Sequence, residues 1–152
     1  MLNEQTMMKM ENLRLFGMAK AFKELGDSRR GSEVSGEELI GLLIDAETTA
    51  RENIKLKRLL ENARLKQQAS LEDIDYHSAR SIHKKIIYEL SDCRWIENHQ
   101  NILLSGPTGI GKSFLTCALG NCACRHGYSV FYSRAPRLFT NLFQARGDGS
   151  YL

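Results

Sequence analysis

No apolar run in this chain of 152 residues approaches the eighteen or so that a membrane span requires. No continuous one exceeds three residues, as at Leu42-Leu43-Ile44, with Leu39-Ile40 just before it. The amino terminus carries Glu4 and Glu11 among its methionines and lacks the apolar stretch and cleavage site of a signal peptide, so a cytoplasmic protein without a membrane partner is expected. The four cysteines, Cys93, Cys117, Cys122 and Cys124, form no C-x-x-C pair. Cys122-Ala123-Cys124-Arg125-His126 makes a poor metal site, because helical positions two apart point to different faces and no second ligand pair follows; reduced core thiols are expected instead. Charge is not one-sided either. A net charge of +3 and a pI near 8.7 do not by themselves separate a nucleic-acid binder from an ordinary soluble protein.

What is present reads as a helical front half followed by a nucleotide-fold pattern. Hydrophobic residues make up 42% of the chain, enough for a core. Met7, Met10, Leu15, Met18, Phe22 and Leu25 fall largely at helical spacing, predicting one helix from Asn3 to Leu25 with Gly26 as its stop. Ser35 and Glu38 make a capping box ahead of Leu39, Leu42, Leu43 and Ala46, and no Pro or Gly interrupts the helix that follows from about Leu42 towards Gln67. Ser70 to Ser78 contains Glu72, Asp73 and Asp75, best taken as a linker with capping aspartates rather than a metal or acid-base cluster. A further helix is predicted from about Ala79 to Leu90, with Ile82, Ile86, Ile87 and Leu90 as its stripe. Trp95, beside that stripe, is assigned to the core rather than to a base contact.

Ile102-Leu103-Leu104 then makes a short apolar strand pattern of the kind buried on both faces, and a second strand is predicted at Tyr128 to Ser133. Between them lies Gly106-Pro107-Thr108-Gly109-Ile110-Gly111-Lys112-Ser113, which matches G-x-x-x-x-G-K-[ST]. The glycines let backbone N–H groups approach phosphate oxygens, and the helix predicted at Phe114 to Cys124 adds unpaired donors at its N-terminus. Lys112 is placed to reach the β- and γ-phosphates of ATP, and Ser113 to ligate a phosphate-bound Mg2+. A last helix is expected from Pro136 through Leu138, Phe139, Leu142 and Phe143 to Gly147-Asp148-Gly149.

Within the long helix, Arg51, Lys55, Lys57, Arg58, Arg64 and Lys66 stand against Glu52 and Glu61. That excess suits a phosphate backbone and equally suits a solvated face with weak ion pairs.

The chain resembles the IstB-type ATP-binding transposition helpers of bacterial insertion sequences, relatives of the helicase loader DnaC within the AAA+ class. The resemblance rests on Leu2-Asn3-Glu4-Gln5-Thr6, Leu15-Phe16-Gly17-Met18-Ala19, Thr49-Ala50-Arg51-Glu52-Asn53, Leu71-Glu72-Asp73-Ile74-Asp75-Tyr76, Arg94-Trp95-Ile96, His99-Gln100-Asn101, the glycine-rich loop, Gly127-Tyr128-Ser129-Val130 and Asp148-Gly149-Ser150-Tyr151. It implies an α/β fold: a helical N-terminal region, residues 1–90, that binds DNA or a partner, and the first β-loop-α-β part of an AAA+ domain, residues 91–152, with an incomplete sheet. It further implies a homo-oligomer on double-stranded DNA that delivers target DNA to a partner transposase, with Gly106, Gly109, Gly111, Lys112 and Ser113 as ATP and Mg2+ contacts. The helix around Arg51, Lys55 and Arg58 becomes the expected DNA surface.

Family members continue to paired aspartates, sensor residues and an arginine finger, and the second strand here ends Tyr132-Ser133-Arg134 without an acid. A truncated helper is therefore expected, one that binds ATP with little or no hydrolysis. In AAA+ sheets later strands separate these two, so unpaired edges are expected as well. The competing assignments are a DNA-binding or partner-binding helical module with an inert nucleotide fold, and a small P-loop kinase, for which no basic lid follows Arg137.

Overall fold

Ser35 and Glu38 exchange hydrogen bonds as the capping box requires, Ser35 N–H donating to Glu38 Oε2 at 3.0 Å and Glu38 N–H to Ser35 Oγ at 3.3 Å. In this computed structural model, which describes residues 2–27, 35–76 and 83–150, that box opens the longest of seven α-helices. These are α1 (Leu2–Asn12), α2 (Phe16–Asp27), α3 (Gly36–Ala63), α4 (Lys84–Ser91), α5 (Arg94–Glu97), α6 (Lys112–Arg125) and α7 (Ala135–Asp148), with a 3-10 turn at Leu71–Asp73. They belong to two compact units, Met1–Lys57 and Arg58–Leu152. None of the described helices is long and apolar enough to cross a membrane.

In the first unit the single helix expected over Asn3–Leu25 is two. Arg14 takes a left-handed φ of 58°, Arg14 N–H bonds Glu11 O at 2.9 Å, and Leu15 N–H reaches back to Met10 O at 2.8 Å, which closes α1. The apolar spacing survives this break, so periodicity alone does not reveal it. Gly26 does not stop the second helix, which runs on to Asp27. α1 packs on α2, and α2 meets α3 at Gly17, where a Cβ would sit 2.6 Å from Ala46 O and 2.8 Å from the Ala50 Cβ.

That close approach lets a residue of α3 cap α2. Glu47, 8% exposed, accepts from Gly17 N–H at 2.8 Å and Met18 N–H at 3.1 Å through Oε2, satisfying first-turn donors that have no partner within their own helix. Its other oxygen takes Arg51 Nε at 2.6 Å. The Arg51 hydrogen bond, joined by the two backbone donors, holds the Glu47 carboxyl below its ordinary range against the opposing effect of burial.

The second unit is organised on α6, which buries Leu115, Cys117, Ala118, Leu119, Ala123 and Cys124. Ala69, Cys117 and Ala118 form one core cluster, with Leu65, Leu71, Phe114 and Tyr132 against it. Ile87 of α4 joins Leu115 and Leu119 in the other, covered by Leu71, Ile74, Leu90, Ile102 and Leu104. Trp95 is half-buried beside the core clusters, its Nε1 donating to Leu90 O at 3.1 Å. The linker is capped by Ser70, whose Oγ accepts from Glu72 N–H at 3.4 Å, and not by an aspartate; Glu72 pairs with Arg125 at 2.8 Å. Of the helix expected from Ala79, residues 79–82, Ile82 included, lie outside the described residues, and α4 is assigned from Lys84.

The expected sheet requires correction. Among the described residues there is no strand, and segments 101–105 and 128–133 carry no regular structure. A strand needs a neighbour about 4.8 Å away to pair its backbone groups. These two segments instead flank a cavity of about 750 Å³ lined by Trp95, Ile102, Leu104, Leu119 and Val130. Only one face of the first is covered: Ile102 and Leu104 pack inward while Leu103 is 93% exposed, against the expectation of burial on both faces. Tyr132 N–H finds Ala63 O at 3.0 Å. α7 forms where expected and ends at Gly149, φ 77°, yet its stripe of Leu138, Phe139, Leu142 and Phe143 is exposed.

Acid should loosen the first unit. Because the folded-state pKa of Glu47 lies below its unfolded value near 4.5, its contribution is complete above that value and fades as pH falls through the depressed one. Thermal melts followed by helical circular dichroism, from neutral pH to about pH 3, should show Glu47→Gln less stable at neutral pH and less sensitive to acid than the parent chain. Equal slopes for the two would remove this role from Glu47.

Candidate phosphate-binding site

The loop Gly106–Ser113 enters α6 through three glycines in the left-handed half of backbone space, Gly106 at φ 147°, Gly109 at 86° and Gly111 at 100°. Gly111 is the N-cap residue, and its carbonyl accepts the first helical bond, from Leu115 N–H at 3.0 Å. No atom lies within 4 Å of where a Gly109 Cβ would stand, so that glycine answers to backbone conformation and not to crowding. Gly106, Pro107, Thr108 and Gly109 are exposed, while Ile110, Gly111 and Lys112 are half-buried.

Lys112, the first residue of α6, folds back over the loop. Its Nζ donates to Gly106 O at 2.8 Å and Pro107 O at 2.7 Å, which places an ammonium among carbonyls at the mouth of the loop. Ser113 is exposed one residue on, and Thr116 turns its hydroxyl to Lys112 O at 2.9 Å. The helix N-terminus, the glycine backbone and one cation together make an anion-binding arrangement, and the donor set fits a polyphosphate with a hydroxyl beside it for a cation.

The other residues expected to act lie on α3. Arg51 is committed at Nε to Glu47 although its side chain stays 62% exposed, and Lys55 and Arg58 are exposed. Their numbering puts them on one face of a helix.

One cluster departs from the sequence expectation, which set Cys122 to His126 aside as a poor metal site for want of a further ligand. All four cysteines are free and Cys93, Cys117 and Cys124 are buried, in line with core thiols. Cys122 is the exception, because His126, one helical turn on, and Cys93, far back in the chain, bring a sulfur and an imidazole beside it. Burial pushes the Cys93 thiol up to about 12 and raises that of Cys122. The only sequence signal for this cluster is the four-residue spacing of Cys122 and His126.

A loop of this type at the head of a helix defines a class of phosphate-binding proteins, and comparison with known sequences narrows it. Residues 8–152 match the family described as IstB-like ATP binding protein, and the chain belongs to that family. It is 45% identical over 151 residues to a Sinorhizobium fredii protein whose name describes an insertion sequence ATP-binding protein, covering 99% of this chain and 62% of that protein. A Pseudomonas fluorescens protein named for ATP binding in insertion sequence IS1162 is 42% identical, with 99% and 66% covered. A third, from Mycobacterium tuberculosis, is 26% identical, with 93% and 57% covered. The chain thus spans a little under two thirds of the length of these relatives.

Gly111→Ala should cost about 1–3 kcal/mol of stability in the second unit, since its φ of 100° is one that L side chains resist. Urea denaturation monitored through Trp95 fluorescence measures this, and an unchanged midpoint would show that the loop does not hold Gly111 in that conformation.

Proposed function

We propose that this chain binds ATP with Mg2+ through Gly106–Ser113 and acts in the transposition of an insertion sequence as a DNA-associated helper. The observation that carries this is the geometry of the loop: three glycines at positive φ lead into the N-terminus of α6 and Lys112 stands across the mouth, in a member of an ATP-binding family. Lys112 would exchange its two carbonyl partners for β- and γ-phosphate oxygens, making charge-assisted hydrogen bonds. The first N–H groups of α6 would hold the remaining oxygens, and Ser113 would offer its hydroxyl to Mg2+. Bound Mg2+ supplies charge neutralisation between the phosphates.

The loop itself contains no carboxylate, so in this proposal Gly106–Ser113 supply the holding of nucleotide and not its hydrolysis. In this proposal the α/β P-loop arrangement forms when segments 101–105 and 128–133 gain strand neighbours in the apolar cavity between them. Residues 1–90 serve as the DNA- or partner-binding region and 91–152 as the nucleotide region. Double-stranded DNA, a partner transposase and further copies of the chain are its proposed partners.

A second function is favoured by α3, whose exposed Lys55 and Arg58 suit contact with phosphate backbone: a helical DNA-binding module whose nucleotide fold is inert. Arg51 belongs to this surface only in part, because it also steadies the cap of α2.

Lys112→Ala should weaken binding of a fluorescent ATP analogue by about tenfold or more, the effect of removing a hydrogen bond to a charged group. Negligible affinity in the parent chain, or equal affinity in the variant, would defeat ATP binding. For DNA, replacing Lys55 and Arg58 by Gln should reduce the slope of log affinity against log salt by about two, near 0.9 for each phosphate no longer neutralised. A parent chain with no salt dependence would remove the DNA surface. ATP binding abolished while the salt response persists would favour the inert-fold module.

A further inference from the structure

At the far end of α6 from the phosphate loop, three side chains converge that the nucleotide site does not use. Cys93 Sγ lies 3.6 Å from His126 Nδ1, Cys122 Sγ lies 3.8 Å from the same nitrogen, and the three atoms all fall within 4.8 Å of one another. A tetrahedral zinc ion, with bonds of about 2.3 Å to sulfur and 2.0–2.1 Å to nitrogen, sets its sulfur and nitrogen ligands about 3.6 Å apart. The two observed sulfur–nitrogen separations are already close to that value.

The surrounding backbone is arranged to make the cluster. Cys93 adopts a left-handed φ of 58° between α4 and α5, unusual for a residue with a Cβ, and its side chain is 1% exposed. Cys122 is half-buried on the last turn of α6, and His126 is exposed at its C-cap. Both thiols lie near Ser91 O, Cys122 at 3.2 Å and Cys93 at 3.9 Å. His126 Nδ1 also lies 3.0 Å from Cys122 O. If that nitrogen turns to a cation, the Cys122 carbonyl keeps the His126 backbone N–H at 3.1 Å, while Ser91 O gives up its two thiol donors. Cys122 and His126 also border a cavity of about 360 Å³, which leaves room on the open side for water as a fourth ligand.

We propose that Cys93, Cys122 and His126 form a binding site for Zn2+ that clamps the α4–α5 junction to the C-terminal turn of α6. On binding, the ion displaces one proton from each thiol to solvent, and the imidazole binds through Nδ1 with its remaining proton on Nε2, so two thiolates neutralise the dication. Three protein ligands and one water give an open four-coordinate site, and it is distinct from the Mg2+ position beside Ser113.

Co2+ is the probe. The full chain, reduced and stripped of metal, should take up one equivalent of Co2+ with a thiolate-to-cobalt charge-transfer band and the visible bands of a tetrahedral ion, both bleached by one equivalent of Zn2+. Cys93→Ser and Cys122→Ser should each weaken the band and lower affinity at least tenfold, whereas Cys124→Ala should keep both. His126 is exposed, so His126→Ala should keep the fold by circular dichroism and still lose at least tenfold in affinity. A folded parent chain without the charge-transfer band overturns the site. So does a band that survives in the Cys93→Ser/Cys122→Ser double variant, or an affinity unmoved by His126→Ala.

Discussion

Close approach of neighbouring segments to α6 sets the geometry of the second unit, and small side chains permit it. Cys117 and Ala118 are fully buried, Ala123 and Cys124 are 2% and 1% exposed, and a Cβ on Gly120 would stand only 3.0 Å from Leu65 Cδ2. Short side chains bring the Leu65–Ala69 segment, Ile87 and Ile102 onto one helix, where each contact gains dispersion as well as burial. The two proposed sites then fall at opposite ends of the same element. Gly111 delivers the phosphate loop to the N-terminus, where the helix dipole favours anions, while Cys122 and His126 project at the C-terminus.

The first unit depends on a different device. Two helices meet so closely at Gly17 that the N-terminus of α2 cannot reach water freely on that side, and a carboxylate from α3 supplies the missing acceptor. Arg51 beside it fixes the charge on Glu47 and thereby joins the packing of the unit to the basic face proposed for DNA. Changes at Arg51 consequently mix stability with binding, whereas Lys55 and Arg58 are cleaner probes of the surface alone.

Much of this was legible in the chain itself. The capping box at Ser35 and Glu38, the glycine-rich loop, the start of α6 and the glycine that ends α7 are local: each depends on residues within one turn of one another, whose φ preferences and hydrogen bonds are settled by near neighbours. The break at Arg14 was not legible, because a left-handed arginine carries no composition signal and the apolar spacing continues past it. Nor was the sheet. An apolar stretch such as Ile102-Leu103-Leu104 states that burial is wanted without stating what will cover it, and here cover comes on one face from α6 and α4.

The sequence by itself determined the family, the phosphate loop and the helical character of most segments, since these follow from residue types at short fixed spacings. Only the tertiary structure decided that Glu47 caps a helix thirty positions away and that Cys93 meets Cys122 and His126. It also left the two strand-like segments without a ladder. Such pairings rest on which surfaces pack together, and packing is a property of the folded chain's shape that no local window of residues contains.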